Sequence, residues 1–440
     1  MRLPAPVLRC LHMLEDSGFA CYAVGGCVRD DLLGLVPHDF DLCTSAAPEQ
    51  MRELFADFPL VTAGEKHGTV GVVTEDGVVE ITTFRAEGSY RDHRHPDWVQ
   101  FVPDIEADLA RRDFTVNAMA WSPIRGFADP FGGREDLEKH VLRAVGDPRQ
   151  RFTEDALRIL RGVRFSVRYH LSPDKETEKA MTELSPLMEA LARERVFDEL
   201  CKLLPLVTAQ DLLRFAPVIT QPIPELAACI GFLQRNPHHA YDIYTHSAHV
   251  VENTPPILSL RWAALLHDIG KVPTFTLDES GRGHFLGHAK AGAEMADAIL
   301  RRLKAPTALR EQVVLLIDRH MVQIEPERAS VRRWLSRLGS ETLTQLLQLQ
   351  EADMSSKGTG IPSDSDRFSR LHSLISQVEA ENTCLSVRDL DIGGNDLIAL
   401  GFSGREIGVQ LNRLLSLVLD ETIPNTKEAL LGASHKEEIL

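Results

Sequence analysis

Two carboxylates separated by one residue, Asp39 and Asp41 in "PHDFDL", follow a glycine pair and an arginine, Gly25, Gly26 and Arg29 in "YAVGGCVRDDLLG". On an extended chain, residues i and i+2 share a face, so both acids point the same way. Side by side they repel each other unless a divalent cation lies between them. An oxygen-only donor set beside phosphate favours Mg²⁺. Two such ions, about 3.5–4 Å apart, can activate a hydroxyl and stabilise a leaving pyrophosphate. Glu80, in "VVEIT", is the third carboxylate expected from a nearby strand. The glycine turn joins an apolar strand to a helix, whose first amides, with Arg29, make a cradle for phosphate. A lone Asp-x-Asp is as often a solvated strand edge. The glycine turn upstream and Glu80 downstream favour the metal reading.

A second set lies between 238 and 358, in "HHAYDIYTHSAHV", "RWAALLHDIGK", "GHFLGHAKAG", "LLIDRHMV" and "LQEADMSSKG". His267 and Asp268 are adjacent on an apolar helix, where an unpaired His–Asp pair is expensive to bury. Together with His246 and Asp353 they make a four-ligand metal site, and imidazole suits a divalent transition metal. His239 and Lys271 are candidate supporting or phosphate-binding groups. A lone buried histidine is more often a core residue than a ligand, but the helical order H…HD…H…H…D favours metal.

These groups need scaffolds. The pattern predicts an α+β chain, with a mixed sheet and helices in the head over 1–135, followed by an all-α remainder. "TVGVVT" and "VVEITTF" read as a hairpin around "EDG", and "VQFVP" as a further strand. A helical neck is expected over 136–205, a helical linker over 206–235, the His-rich block over 236–360 and a helical tail over 361–440. The N-terminus reads as an amphipathic helix, interrupted by Arg9, His12, Glu15 and Asp16, and not as a signal peptide. No run of about 18 apolar residues is present, so no membrane span is expected. The 7 cysteines are scattered without a CxxC pair, which suits a reducing cytoplasm. A net charge of −16 argues against a nucleic-acid partner. The charge is uneven, however: from Arg143 to Arg168 there are 7 arginines against Asp147, Glu154 and Asp155, enough to serve a strand of phosphates.

The motifs "GGCVRD", "DFD", "HGTVGV", "EITTFRAEGSYRDHRHPDWVQF", "RRDFTVNAMAW", "DPFGGREDL" and "RFTEDALRILRGVRF" occur in this order. Over roughly residues 18 to 205 the chain resembles the class II tRNA nucleotidyltransferases (CCA-adding enzymes) and their bacterial poly(A) polymerase relatives, of the polymerase β superfamily. The resemblance implies tRNA, CTP and ATP as partners, with no protein partner, and Mg²⁺ as cofactor. It makes Asp39 and Asp41 the metal-binding catalytic pair, joined by Glu80, and Gly25, Gly26 and Arg29 triphosphate contacts. Arg112 and Asp113 become the residues that hold the nucleotide and sense its 2′-hydroxyl. "FRAEGSYRDHRHPD", with Arg85, Tyr90, Asp92 and Arg94, resembles the flexible loop needed for the final A. The His-rich block resembles the HD phosphohydrolases, where His288 and His320 fall at the positions of additional ligands. The C-terminal "GGNDLIALGFSGREIGVQLNRLL" resembles the family's tail; its "GFSGREIG" turn either offers amides to a tRNA phosphate at a helix start or belongs to a capping helix pair.

"FTEDALRILRGVRF" is expected to start a helix at a Thr153 cap, with Glu154 and Asp155 in its first turn and Asp155 and Arg158 on one face. Asp155 accepts hydrogen bonds and Arg158 donates them. Cytosine and adenine both offer an amino donor beside a ring acceptor, so both fit. Uracil and guanine present a carbonyl and an N–H and clash. This matches the nucleobase-selecting role that the resemblance implies for both residues. Arg161 and Arg164 are expected to support this face or contact the primer. Three alternatives stay open: addition of A alone, poly(A) synthesis, and an HD metallophosphohydrolase whose head only binds nucleotide.

Overall fold

The computed structural model describes residues 1–87, 99–237, 239–358, 364–381 and 383–434. Two compact units divide the chain, one of 1–206 with 214–224 and one of 207–213 with 225–440.

The first unit holds a seven-stranded mixed sheet. Its strands are β1 (Cys21–Val24), β2 (Leu42–Thr44), β3 (Leu60–Val61), β4 (Thr69–Thr74), β5 (Gly77–Thr83), β8 (Ala120–Ser122) and β9 (Gly126–Ala128), in the order β3-β4-β5-β2-β1-β8-β9. The hairpin around "EDG" forms as expected, with β4 antiparallel to β5. The expected third strand pairs elsewhere: β6 (Arg85–Glu87) and β7 (Val99–Phe101) make a separate two-stranded ribbon. β2 runs antiparallel to β1 and parallel to β5, with Leu42 opposite Ile81. Val24, Cys43, Phe84, Leu109, Ala118, Ala120 and Val145 form one buried cluster of this unit. The amphipathic helix α1 (Ala5–Asp16) buries Val7, Cys10, Leu11 and Leu14.

β1 passes through Gly25 into α2 (Gly26–Leu32); α3 (Ile105–Ala110) carries Asp108. The neck helices are α4 (Pro148–Glu154), α5 (Leu157–Tyr169), α6 (Lys175–Leu184) and α7 (Arg193–Leu203). α5 buries Ile159, Leu160, Val163 and Phe165, and Gly162 lets it approach the Phe114 ring.

The second unit is helical. α8 (Ile243–Asn253) is capped by the Asp242 side chain. α9 (Leu258–Leu266) is buried from Ser259 onward, and its two polar side chains are satisfied inside, Ser259 by Gln345 and Arg261 by the carbonyls of Pro255 and Val207. α10 (His288–Arg302), α11 (Thr307–Arg319) and α12 (Arg328–Ser355) follow, the last broken at Gly339, where φ is 75°. α13 (Ser365–Ala380) and α14 (Arg405–Leu419) complete the named helices, and a separate small core around Leu397, Leu414 and Leu430 holds the C-terminal helices together. No helix among the described residues is long and apolar enough to cross a membrane.

Candidate active site and metal centre

Asp39 and Asp41 do not stand within a strand, as the sequence suggested, but in the segment that enters β2. The Asp41 carbonyl accepts from Val24 N–H at 3.0 Å, so β1 already holds the backbone there. Because Leu42 pairs in register with Ile81 on a parallel strand, the preceding residues, Asp41 and Glu80, are cross-strand neighbours on one face. Asp39, Asp41 and Glu80 line one cleft of about 530 Å³, with His38, Phe40 and Val79. Burial raises the Asp41 carboxyl, and the charges of Glu80 and Asp39 push it further up against the pull of Arg112. Crowded negative charge with oxygen donors only is the environment that a hard divalent cation relieves. The three carboxylates do not close on one another within 4.8 Å, as the histidine-rich groups described below do.

Gly25 has φ 74° and ψ −120°, a region reserved in practice for glycine. A Cβ there would also lie 2.8 Å from Arg112 Nη1. The arginine guanidinium therefore rests directly on the glycine turn. Its Nε is buried without a hydrogen-bond partner, and its Nη2 reaches Asp108 at only 3.4 Å. Asp108 is held more firmly by Arg111, at 3.0 and 2.8 Å.

Arg29 is placed differently from the expectation of a phosphate contact. Only 5% exposed, it gives Nε and Nη2 to Asp30 (2.9 and 2.7 Å), Nη1 to Asn117 Oδ1 and Nη2 to Tyr169 Oη (2.5 Å). Its guanidinium also stacks 4.1 Å from the Tyr169 ring centre. It braces α2 against α5. Asn117 extends the same network, donating to Asp113 Oδ1 at 3.1 Å. Asp113 Oδ2 accepts from Arg161 Nε and Nη2 at 2.8 and 2.7 Å. Burial alone would raise the Asp113 carboxyl, but Arg161 and the Asn117 hydrogen bond outweigh it and take it down to about 2.

That depression has a pH signature. A carboxyl whose folded value lies below its unfolded value of 3.8 stabilises the fold fully above pH ~4 and loses this contribution as pH falls towards 2. The contribution is roughly 2 kcal/mol. Asp113→Asn is therefore expected to lower the melting temperature at pH 7 and to shrink the melting-temperature difference from the parent at pH 3, read by circular dichroism.

The neck corrects the sequence reading at Thr153. α4 is capped by Asp147, and Thr153 sits in its last turn, bonding back to the Arg149 carbonyl at 2.8 Å. Asp155 is extended (φ −140°, ψ 102°) at the break between α4 and α5, not in the first turn of one helix. Its Oδ1 accepts from Leu157 N–H at 3.1 Å. Arg158 binds Glu154 Oε2 at 2.9 Å and the carbonyls of Arg151 (3.3 Å) and Arg111 (3.0 Å). Asp155 and Arg158 thus stand one turn apart, each held by other groups. Arg164, expected at the reading face or primer, is 8% exposed and paired with Glu199 at 2.7 Å. Arg195, which the sequence reading passed over, donates to Asp155 Oδ2 at 2.9 Å. Of the expected mobile-loop residues, Arg85 lies in β6, where its side chain reaches the His67 carbonyl; Tyr90, Asp92 and Arg94 fall outside the described residues.

In the second unit the expected ligands converge. His246 Nε2 lies 2.9 Å from Asp353 and 3.6 Å from Asp268, and His267 Nε2 lies 3.2 Å from Asp268. On the other side of Asp268, His288 Nε2 is 3.6 Å away and 3.3 Å from His320 Nε2. His246–His267–Asp268 and Asp268–His288–His320 each bring three ligand atoms within 4.8 Å, with Asp268 shared. The Nδ1 atoms of His267, His288 and His320 face the carbonyls of Ala264 (2.8 Å), Phe285 (2.8 Å) and Ile317 (2.6 Å). That fixes the proton on Nδ1 and leaves each Nε2 lone pair facing the centre. His267 Nε2 is buried without a hydrogen-bond partner, Asp268 Oδ2 is ion-paired with Lys271, and two lone pairs oppose each other between His288 and His320. Burial and the nearby His267 hold His320 down to about 4, in the neutral form that ligates metal. Gly270 makes this possible: a Cβ there would meet the His288 carbonyl at 2.2 Å, so only glycine lets the His267–Asp268 turn lie on the start of α10. Lys271 reaches Asp268 at 2.7 Å and Gln234 at 2.9 Å. The His239 ring, lowered to about 3 by burial and then by Lys271, lies 5.7 Å from that of His246.

A carboxylate cleft beside a glycine turn on a mixed sheet, followed by a helical neck and a histidine–aspartate centre, defines a polymerase β-type nucleotidyltransferase with an HD body. Residues 21–143 match the poly(A) polymerase head domain, 170–228 the probable RNA and SrmB-binding site of polymerase A, and 239–370 the HD domain. A CCA-adding enzyme of Bacillus velezensis is 33% identical over 425 residues, covering 95% of this chain and 94% of the relative. Another from Latilactobacillus sakei is 34% identical over 436 residues, covering 98% and 97%. The chain belongs to the CCA-adding enzyme family. Among solved structures, the Bacillus stearothermophilus CCA-adding enzyme in complex with CTP is similar with a TM-score of 0.72 at 26% identity, over 98% of this chain and 97% of the other. The Thermotoga maritima CCA-adding enzyme complexed with tRNA shares the fold, with a TM-score of 0.60 at 21% identity over 98% and 95%.

Proposed function

We propose that this chain builds CCA on the 3′ end of tRNA from CTP and ATP, in the cytoplasm, and that Asp39, Asp41 and Glu80 carry the chemistry. The observation that carries the reading is the parallel register of Leu42 with Ile81, which sets Asp41 beside Glu80 in the cleft shared with Asp39. These carboxylates are the groups that would hold Mg²⁺, which supplies Lewis-acid stabilisation of the phosphate and makes a hydroxyl easier to deprotonate. The 3′-oxygen of the tRNA attacks the α-phosphorus, the α–β bridging bond breaks, and pyrophosphate leaves. The Gly25–Gly26 turn gives its backbone to the triphosphate, with Arg112 resting on it. Arg29 acts from behind, fixing α2 through Asp30, Asn117 and Tyr169. Asp113, locked by Asn117 and Arg161, fixes the segment that carries Arg112 to the nucleotide's sugar. Relatives named CCA-adding enzymes match almost the full chain, which favours full CCA addition over addition of A alone.

Asp155 and Arg158 choose the base by accepting from an amino group and donating to a ring acceptor. The test offers CTP, ATP, UTP or GTP singly to a tRNA ending at N73. The parent is expected to incorporate CMP alone. Asp155→Ala and Arg158→Ala are each expected to cut the preference for CTP over UTP by about tenfold to a hundredfold, the worth of one charge-assisted hydrogen bond. An unchanged preference in both variants would refute base reading by this pair.

A second reading concerns the second unit. The unpartnered His267 Nε2 and the imidazole-rich donors on both sides of Asp268 fit two divalent transition-metal ions, the arrangement suited to phosphoester hydrolysis.

A further inference from the structure

Asp155 is presented by a chain break, and what holds its carboxylate there comes from two sides. Oδ1 accepts from Leu157 N–H at 3.1 Å, and Oδ2 accepts from Arg195 Nη2 at 2.9 Å. Arg195 belongs to α7, forty residues further along the chain than Asp155. The pair is partly covered, with 26% and 18% of the two side chains exposed. Arg158, by contrast, is fixed by Glu154 and by two carbonyls. The two base-reading side chains are therefore oriented by separate elements.

We propose that Arg195 is a positioning residue for nucleotide selection. It sets the plane of the Asp155 carboxylate so that the remaining lone pairs meet the amino group of cytosine or adenine. This rests on the reading of Asp155 and Arg158 as the base-selecting pair. A carboxylate tied at one oxygen turns easily, because its terminal torsion is broad. Such a group swings away from a uracil carbonyl and tolerates it. Tied at both oxygens, it cannot turn, and the mismatched carbonyl meets a fixed acceptor. Discrimination between a donor and an acceptor at one ring position depends on that fixity. The type of residue points the same way. Arg195 Nη1 is buried with no hydrogen-bond partner. A lysine in this place would supply charge without a fixed direction. A planar guanidinium instead fixes direction as well as charge.

The test measures kcat and KM for CTP and UTP on a tRNA ending at N73, in the parent, Arg195→Ala, Arg195→Lys, Asp155→Ala and the Arg195→Ala/Asp155→Ala double variant. Circular dichroism confirms folding, and Arg195→Lys carries the test if the alanine variant does not fold. The CTP-to-UTP preference should fall about tenfold in Arg195→Ala. The change should come from a higher KM for CTP and increased use of UTP, with kcat for CTP changed less. Lysine should restore part of the preference. The double variant should match Asp155→Ala, because Arg195 acts through Asp155. An equal loss for both nucleotides in Arg195→Ala, with Asp155→Ala still unselective, would overturn the positioning role and leave base reading intact. An unchanged preference in Asp155→Ala would overturn both.

Discussion

Replacing Asp39 and Asp41 together with alanine is expected to lower nucleotide incorporation about a thousandfold or more, while the protein becomes slightly harder to melt. The loss follows from removing two of the three carboxylates in the head cleft, since metal-assisted phosphoryl chemistry contributes several kcal/mol to the barrier. The gain in stability follows from the electrostatics. Burial, and then Glu80 and Asp39, raise the Asp41 carboxyl above its ordinary value. A carboxyl with a raised folded value is a burden when ionised, and the burden disappears as pH falls through that value. The alanine variant should therefore melt higher than the parent near pH 8 in metal-free buffer, with the difference narrowing at lower pH. Single-turnover incorporation and thermal melting on the same preparations check both halves. Loss of activity together with a lower melting temperature would mean that the two acids are structural.

The second large effect concerns the histidine centre. His267→Ala is expected to reduce bound divalent transition metal from about two ions per chain to less than one, by elemental analysis after dialysis. Incorporation of CMP by the same variant should stay within about twofold of the parent, because the head's carboxylates lie on a different unit. His267 is fully buried, and its loss strips a neighbour from the buried Asp268. Lys271, at 2.7 Å, still balances that charge, so the variant is expected to fold. His320→Gln provides a gentler companion on the opposite side of Asp268. Full metal content in both variants would refute the centre.

Much of this was legible before any coordinates. Short β-branched runs on either side of "EDG" marked the β4–β5 hairpin, and the i, i+2 spacing marked the carboxylate pair. The chain order of histidines and aspartates marked the centre that α8, α9, α10, α11 and α12 assemble. What stayed hidden depended on contacts between distant segments. "FTEDALRIL" has the apolar spacing of one helix, yet Asp155 leaves the helical region, and its carboxylate takes the Leu157 amide. Nothing near Arg195 marks it, because its partner lies forty residues away. Arg29 sits in a motif that resembles a phosphate contact, but Asp30, Asn117 and Tyr169 satisfy it from three segments. Local pattern reports which residues can do chemistry. Which of them face the substrate and which brace those that do is decided by packing.

The most direct measurement offers labelled CTP or ATP separately to purified protein with tRNA ending at N73, at C74 or at C75. The account predicts CMP onto the first two ends and AMP onto the third, each stopping after its proper addition. AMP incorporation confined to the C75 end, with CMP incorporated nowhere, or long runs of AMP on any end, would contradict it.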